Sequence, residues 1–459
     1  MQHAAAFFFT LQGAQRRNSL SDEWSMEQTM AGRIVNLGNL KKAYRYCKKN
    51  GVMSAYYASM ERVQQKKQGY ERRVLTEQEM EKQKSAVWEK PEKFSILVPA
   101  YETDTKHFHE MIDSVLSQTY PEFELIIADA SPTDKLTKEM ECYEDNRIRY
   151  VRLEENKGIS ENTNAALAVA TGSYIALLDH DDTLEADALY RMMEAIRDCR
   201  EHRGIEPKML YSDEDKGNGD MSEFYEPHYK VAFNLDLLLS NNYICHFLVM
   251  KSSLMKELKF RKEYDGAQDH DLVLRAAGKL VDNRRAIVHV PYVVYHLRCH
   301  TGSTAENPQS KMYAYESGRR AVEDFCNSQG WKVQVTHTKH LGFFRVEYSG
   351  GILNQRSDVA AVGGRIIAGG KIAGGAYTEK GEVLYLGLNR HFSGYMHRAV
   401  LQQGVAAVDV RKMVVRKELQ SILEKIQKEE SDVKEISLRF GREAAALGYG
   451  ILWDPFLET

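Results

Sequence analysis

Long apolar runs are missing from this sequence. No stretch approaches the roughly 18 residues that a membrane-spanning helix needs. Residues 4–10 (AAAFFFT) are short and follow no basic segment, so neither a span nor a secretory signal is expected. Cysteine is sparse as well: Cys47, Cys142, Cys199, Cys245, Cys299 and Cys326 lie scattered with no CxxC pair. That argues against a disulfide frame and fits reduced thiols in the cytoplasm. The sequence-close pairs His107/His109 and His296/His300 lack acidic or thiol companions at zinc spacing. Excess charge is missing too, and a formal net charge of -3 does not suggest a general nucleic-acid binder. Only nine prolines occur, none before Pro91.

What is present falls into three textures, as 459 residues would allow. Residues 1–90 are polar and helix-like, an amphipathic arm expected to pack on the main domain or on a partner. Contact of Lys41, Lys42, Arg45, Lys48 and Lys49 with a membrane surface is the weaker alternative, since charge runs are usually solvated faces. From Pro91 onward, short apolar runs alternate with helical patterns. Strands are expected at 94–99, 123–128, 148–153 and 174–178, with helices at 106–117 and 159–170. Such alternation implies βαβ units and a parallel sheet. Tyr101, Asp129 and Asp179 each follow a strand, so all three would emerge on one edge of that sheet, where open α/β folds bind ligands.

The sequence is organised around residues 174–182 (YIALLDHDD). A strand buried on both faces runs straight into Asp179, Asp181 and Asp182. Acids this close repel unless a cation sits among them, and Mg²⁺ or Mn²⁺ commonly shares carboxylates with a phosphate. A solvated loop with an Asp helix cap is the alternative.

Several further motifs then occur in order. They are residues 95–101 (SILVPAY), 114–121 (SVLSQTYP), Asp129, 156–160 (NKGIS) with Asn162 and Asn164, and 171–182 (TGSYIALLDHDD). After them come 211–216 (YSDEDK), 242–246 (NYICH), 268–272 (QDHDL) and 295–298 (YHLR). Over about residues 90–310 the chain thereby resembles glycosyltransferase family 2, the inverting nucleotide-sugar transferases, and in particular those of bacterial O-antigen, rhamnan and capsule assembly. The resemblance implies an α/β GT-A (Rossmann-like) nucleotide-sugar-binding domain at 91–310, after the helical N-terminal extension (1–90). A smaller α/β module follows at 311–459.

The resemblance also implies roles. Tyr101 would stack on the nucleobase and Asp129 would accept a base N–H, a role suited to an acceptor-only carboxylate. Pro99 and Glu102 flank Tyr101 in the same donor-binding turn. Gly158 and Asn162 start a helix where backbone approaches the nucleotide. Asp179 and Asp181 match a DxD pair: Asp181 would ligate Mn²⁺ or Mg²⁺ at the diphosphate, and Asp179 would help hold the ribose and the metal shell. The donor would be a UDP- or dTDP-sugar and the acceptor a surface glycan, free or lipid-linked. Asp269 matches the catalytic base. Gln268 replaces the usual preceding glutamate, so Asp271 is kept as a second candidate base, and a helix N-terminal cap is the structural alternative for both. His296 and Arg298 would reach the diphosphate, whereas a lone His246 is more often a bonded core residue. Residues 301–311 (TGSTAENPQSK) would make an acceptor-site lid.

Beyond residue 311 the motifs stop. The glycine-rich stretch 359–367 (VAAVGGRII) has no phosphate-loop spacing. The region weakly resembles the acceptor-side half of a second domain of the same family, for acceptor binding or homodimerisation. Two other classes stay open. Residues 179–183 (DHDDT) also fit the nucleophile motif of a haloacid-dehalogenase-like phosphatase. A non-catalytic nucleotide-sugar-binding subunit would explain Gln268. The expected location is the cytoplasm or the inner face of the plasma membrane.

Overall fold

The computed structural model describes residues 46–48, 50–65, 69–299 and 312–458. The 4–10 stretch, Lys41, Lys42, Arg45, Lys49, His300 and the expected lid at 301–311 lie outside the described residues. By internal contacts the chain divides into residues 1–67 and 68–459. The first unit contains helix α1 (Val52–Gln65), on which Val52, Met53, Tyr56, Met60 and Val63 are exposed. No helix among the described residues is long and apolar enough to cross a membrane.

In the second unit, helix α2 (Glu77–Lys84) begins at a capping box between Thr76 and Glu79. Strands β1 (Phe94–Ala100), β2 (Phe123–Asp129), β3 (Ile148–Arg152) and β4 (Tyr174–Leu177) then run parallel. Helices α3 (Thr105–Leu116) and α4 (Ile159–Val169) occupy two of their crossovers. These elements fall within a residue or two of the sequence pattern.

The sheet does not stay parallel. Two-residue β5 (Thr183–Leu184), β6 (Met209–Gly217), β7 (Phe224–His228), β8 (Leu248–Lys251) and β9 (Ile287–Arg298) complete it in the order β3-β2-β1-β4-β8-β6-β9-β5, with β7 paired to β6. β8 runs antiparallel to both β4 and β6, so the sheet is mixed. Apolar periodicity does not report strand direction, and β6 carries the charged run Asp213 to Lys216, which hides it as a strand.

Both faces of the sheet are covered, as near-continuous apolar strands require. β1 sends Phe94, Ile96 and Val98 toward α3 and α5 (Ala188–Arg203), and Leu97 toward α4, α6 (Leu235–Ser240) and α7 (Gln268–Lys279). α8 (Met312–Ser328) and the hairpin β10 (Val333–His337) with β11 (Phe344–Tyr348) extend the latter core through Val322, Phe325, Val335 and Phe344. A separate core starts at β12 (Val359–Ala368), which pairs in parallel with the C-terminal strand Gly450–Glu458. A Cβ on Gly364 would stand 1.7 Å from the Leu457 carbonyl oxygen, so this glycine serves close strand approach.

One buried knot fixes the start of β4. Glu124 accepts from the Ser95 hydroxyl (2.5 Å) and from the Thr171 N–H (2.7 Å) and hydroxyl (2.9 Å), while Gly172 N–H donates to Ser95 Oγ (2.8 Å). Those bonds outweigh burial and hold the Glu124 carboxyl down at about 2.

Candidate active site

Because β1, β2 and β4 are adjacent and parallel, Tyr101, Asp129 and Asp179 leave the sheet on one edge. β4 ends at Leu177, and a short loop carries Asp179, His180, Asp181 and Asp182 before β5. Asp179, Asp182 and His246 meet there, each offering a ligand atom within 4.8 Å of the others. The Asp179 side chain is 45% exposed, with His246 Nε2 3.9 Å from its Oδ2. Asp182 is buried and accepts from the Tyr295 hydroxyl (2.6 Å) and the Arg298 N–H (2.7 Å). Lost hydration, and then the adjacent carboxylates of the loop, push Asp182 well above the ordinary carboxylate range. Asp179 is raised for the same reasons, with Asp269 adding to the repulsion and His246 opposing it.

A divalent cation fits this arrangement. Two carboxylates and an imidazole are a donor set that Mn²⁺ accepts, and crowded acids of raised pKa are what such an ion relieves. The His180 Nδ1 in the same loop is buried with no hydrogen-bond partner among the described residues. The sequence pattern points to Asp179 and Asp181; the geometry brings together Asp179, Asp182 and His246.

Asp269 and Asp271 lie in the first turn of α7. Asn242 Nδ2 donates to Asp269 Oδ2 (2.7 Å), and Asn242 Oδ1 accepts from the N–H of Cys245 (3.3 Å), the residue before His246, so one loop ties Asp269 to the His246 position. Asp271 is elsewhere. Two residues along a helix rotate a side chain by about 200°, and Asp271 is buried between Arg261 (Nε to Oδ2, 3.1 Å) and Arg275 (Nε to Oδ2, 2.9 Å). Its oxygens are committed to two guanidinium groups, unlike those of Asp269, which accepts from a neutral amide. Gln268 Oε1 accepts from the Gly266 N–H (2.8 Å), closing the loop that delivers Asp269.

Toward β1 and β2, Pro99 is half-buried and the Tyr101 ring is 47% exposed, open for stacking. Glu102 has a left-handed backbone (φ 49°), donates its N–H to Ser131 Oγ (2.8 Å) and accepts from Thr133 (3.2 Å). Asp129 is fully buried and accepts from the Ser131 N–H (2.8 Å), the Ser131 and Tyr150 hydroxyls (2.5 Å each) and Arg152. Gly158 (φ 99°) opens α4, and a Cβ there would lie 2.3 Å from Asp265 Oδ2. Asn156 Oδ1 accepts from both Gly158 N–H (3.0 Å) and Asn162 Nδ2 (2.9 Å), so Asn162 stiffens this turn from its buried position.

His296 and Arg298 differ from expectation. Both are buried and occupied by protein groups. His296 bonds Asp215 (2.6 Å) and Glu185 (3.2 Å), contacts that outweigh burial and raise its pKa. Arg298 donates to the backbone oxygens of Asp181 (2.5 Å) and Gly219 (2.9 Å) and pairs with Glu110 (2.7 Å). They brace the acidic loop from behind and do not face the cleft. Residues before β1 complete this support: Tyr70 donates to Asp215 (2.7 Å), Arg72 to Glu185 (2.9 Å), and Arg73 to Asp187 (3.1 Å). Asp182, Asn242 and Tyr295 stand inside quoted motifs and were readable as candidates. Tyr70 and Arg72 carry no motif.

The mixed α/β sheet thus carries an acidic loop at its C-terminal edge, with His246 beside it. Residues 95–258 match the family described as Glycosyl transferase family 2, and the chain carries a domain of that family. It is 39% identical over 234 residues to the uncharacterized protein y4gI of Sinorhizobium fredii, a match covering 50% of this chain and 25% of that protein. It is 29% identical over 258 residues to the O-antigen biosynthesis protein RfbC of Myxococcus xanthus, covering 55% of this chain and 19% of that one. The matched part thus spans a quarter or less of these two relatives. Among solved structures, S. aureus TarS 1-349 in complex with UDP-GlcNAc is similar at a TM-score of 0.40 and 22% identity, over 51% of this chain and 66% of that one.

Proposed function

We propose that this chain is a metal-dependent, inverting glycosyltransferase that moves a sugar from a UDP- or dTDP-sugar to a bacterial surface-glycan acceptor. The observation that carries it is the meeting of Asp179, Asp182 and His246 within 4.8 Å, with Asp269 bonded to Asn242 of the loop that carries His246. Asp179, Asp182 and His246 would hold Mn²⁺ or Mg²⁺, with Asp181 beside them. When bound, that ion would offset the charge gathering on the departing nucleoside diphosphate.

The chain's own groups do the rest. Tyr101 stacks on the base, and the Gly158 turn brings backbone close to the donor. Asp269, oriented by Asn242, takes the proton from the acceptor hydroxyl as that oxygen attacks the anomeric carbon from the face opposite the leaving group. Asp129 acts by fixing the base-side wall, since its four contacts are internal. The acceptor is a free or lipid-linked glycan, met in the cytoplasm or at the inner membrane face.

The test is nucleotide release from a panel of UDP- and dTDP-sugars with glycan acceptors, with Mn²⁺ and with chelator. Metal-dependent release from one donor supports the proposal. Donor binding without release across all acceptors would favour a non-catalytic binding subunit.

A further inference from the structure

Tyr295 belongs to none of the roles above, yet it touches Asp179, Asp182 and His246. Its hydroxyl donates to Asp182 Oδ2 (2.6 Å) and accepts from the backbone N–H of Asp179 (3.3 Å). Its ring lies flat against the His246 imidazole, with centroids 4.5 Å apart and planes 9° from parallel. The ring is fully buried on β9, so it is a fixed surface. The backbone of His246 is held separately. Its N–H donates to Glu214 (3.1 Å), its carbonyl accepts from Lys230, and Lys230 pairs with Glu214 (3.1 Å). Backbone anchoring leaves the imidazole free to rotate about its side-chain bonds, and the Tyr295 face removes that freedom.

We propose that Tyr295 is a positioning residue that pre-assembles the cation seat, fixing the Asp182 carboxylate through its hydroxyl and the plane of the His246 ring through its face. This rests on reading Asp179, Asp182 and His246 as the cation site. Preorganised ligands bind an ion more tightly because their ordering is completed before it arrives. Tyr295→Phe keeps the ring contact and removes both hydroxyl bonds. Tyr295→Leu removes the ring contact as well.

The experiment is an electron paramagnetic resonance titration of the full chain with Mn²⁺, with and without UDP, plus electron spin-echo detection of nitrogen coupled to the bound ion. Wild type is expected to bind one Mn²⁺ with an imidazole nitrogen signal that disappears in His246→Gln. Tyr295→Phe should weaken binding about tenfold or more, as loss of hydrogen bonds to a charged group does. Tyr295→Leu should also broaden or abolish the nitrogen signal. Wild-type Mn²⁺ binding without nitrogen coupling, or equal affinity in a folded Tyr295→Phe, would overturn the role of Tyr295 and leave the transferase proposal standing. No Mn²⁺ bound by wild type, with UDP or without, would overturn the cation site and the positioning role together. A wild-type spectrum without nitrogen coupling overturns the role even where a variant does not fold.

Discussion

Two groups of acids flank β9, and the protein treats them in opposite ways. Neighbouring residues on a strand face opposite sides, and Tyr295 and His296 sort the acids accordingly. On the His296 side, Asp215, Glu185 and Asp187 are buried, and each has a cationic or donor partner in His296, Arg72, Arg73, Arg191 or Tyr70. On the Tyr295 side, Asp179 has the His246 imidazole at 3.9 Å, and Asp182 is held by two neutral donors. The His296-side acids are ion-paired within the chain as folded. On the Tyr295 side crowding and burial raise both Asp182 and Asp179, the perturbed setting that distinguishes a binding site from a structural ion-pair network.

The largest effect that would sharpen this contrast is on catalysis. Asp269→Asn should lower nucleotide release by about 10²–10⁴-fold, the usual worth of a general base, with an unchanged thermal midpoint. Retained release would remove Asp269 from the base role. Asp271→Asn should do the reverse: it leaves Arg261 and Arg275 facing each other and should cost about 2–4 kcal/mol of stability, read by urea denaturation, while turnover per folded molecule is kept. Arg72→Ala should cost less, about 1–2 kcal/mol, because its guanidinium is partly solvated. If it alters Mn²⁺ affinity as much as Asp182→Asn does, the two acid groups are not separate.

The smallest effect concerns pH. The Glu124 carboxyl is depressed to about 2 from an ordinary 4.5, so its contribution is complete above 4.5 and fades as pH falls toward 2. Glu124→Gln should therefore be less stable than wild type at pH 6, and the gap in urea midpoints should close between pH 4.5 and 2.5. A constant gap would mean that this carboxylate is not the ionised knot described.

The parallel half of the fold was legible because β1 to β4 are short apolar runs ended by polar turns, and their order follows from chain alternation. The antiparallel half was not. β6 carries three consecutive acids because Asp213, Glu214 and Asp215 meet His289, Lys230 and His296 from other elements, and these are pairings between distant residues. In the site, Asp179 and Asp269 were placed by motif alone. Asp271 and Arg298 resemble site residues in sequence, and only helix phase and burial show them turned away. The Tyr70 and Arg72 contacts lie more than a hundred residues from their partners, beyond any local pattern.

The most direct test of the contrast is thermal unfolding with saturating Mn²⁺ and UDP. A ligand at about 100 times its Kd stabilises the folded state by about 2.7 kcal/mol. The account predicts a clear upward shift of the midpoint in wild type, the same shift in Arg72→Ala from its lower starting point, and none in Asp179→Asn/Asp182→Asn. A full shift in that double variant would contradict it, because the acids on the Tyr295 side would then not be where the ion and nucleotide bind.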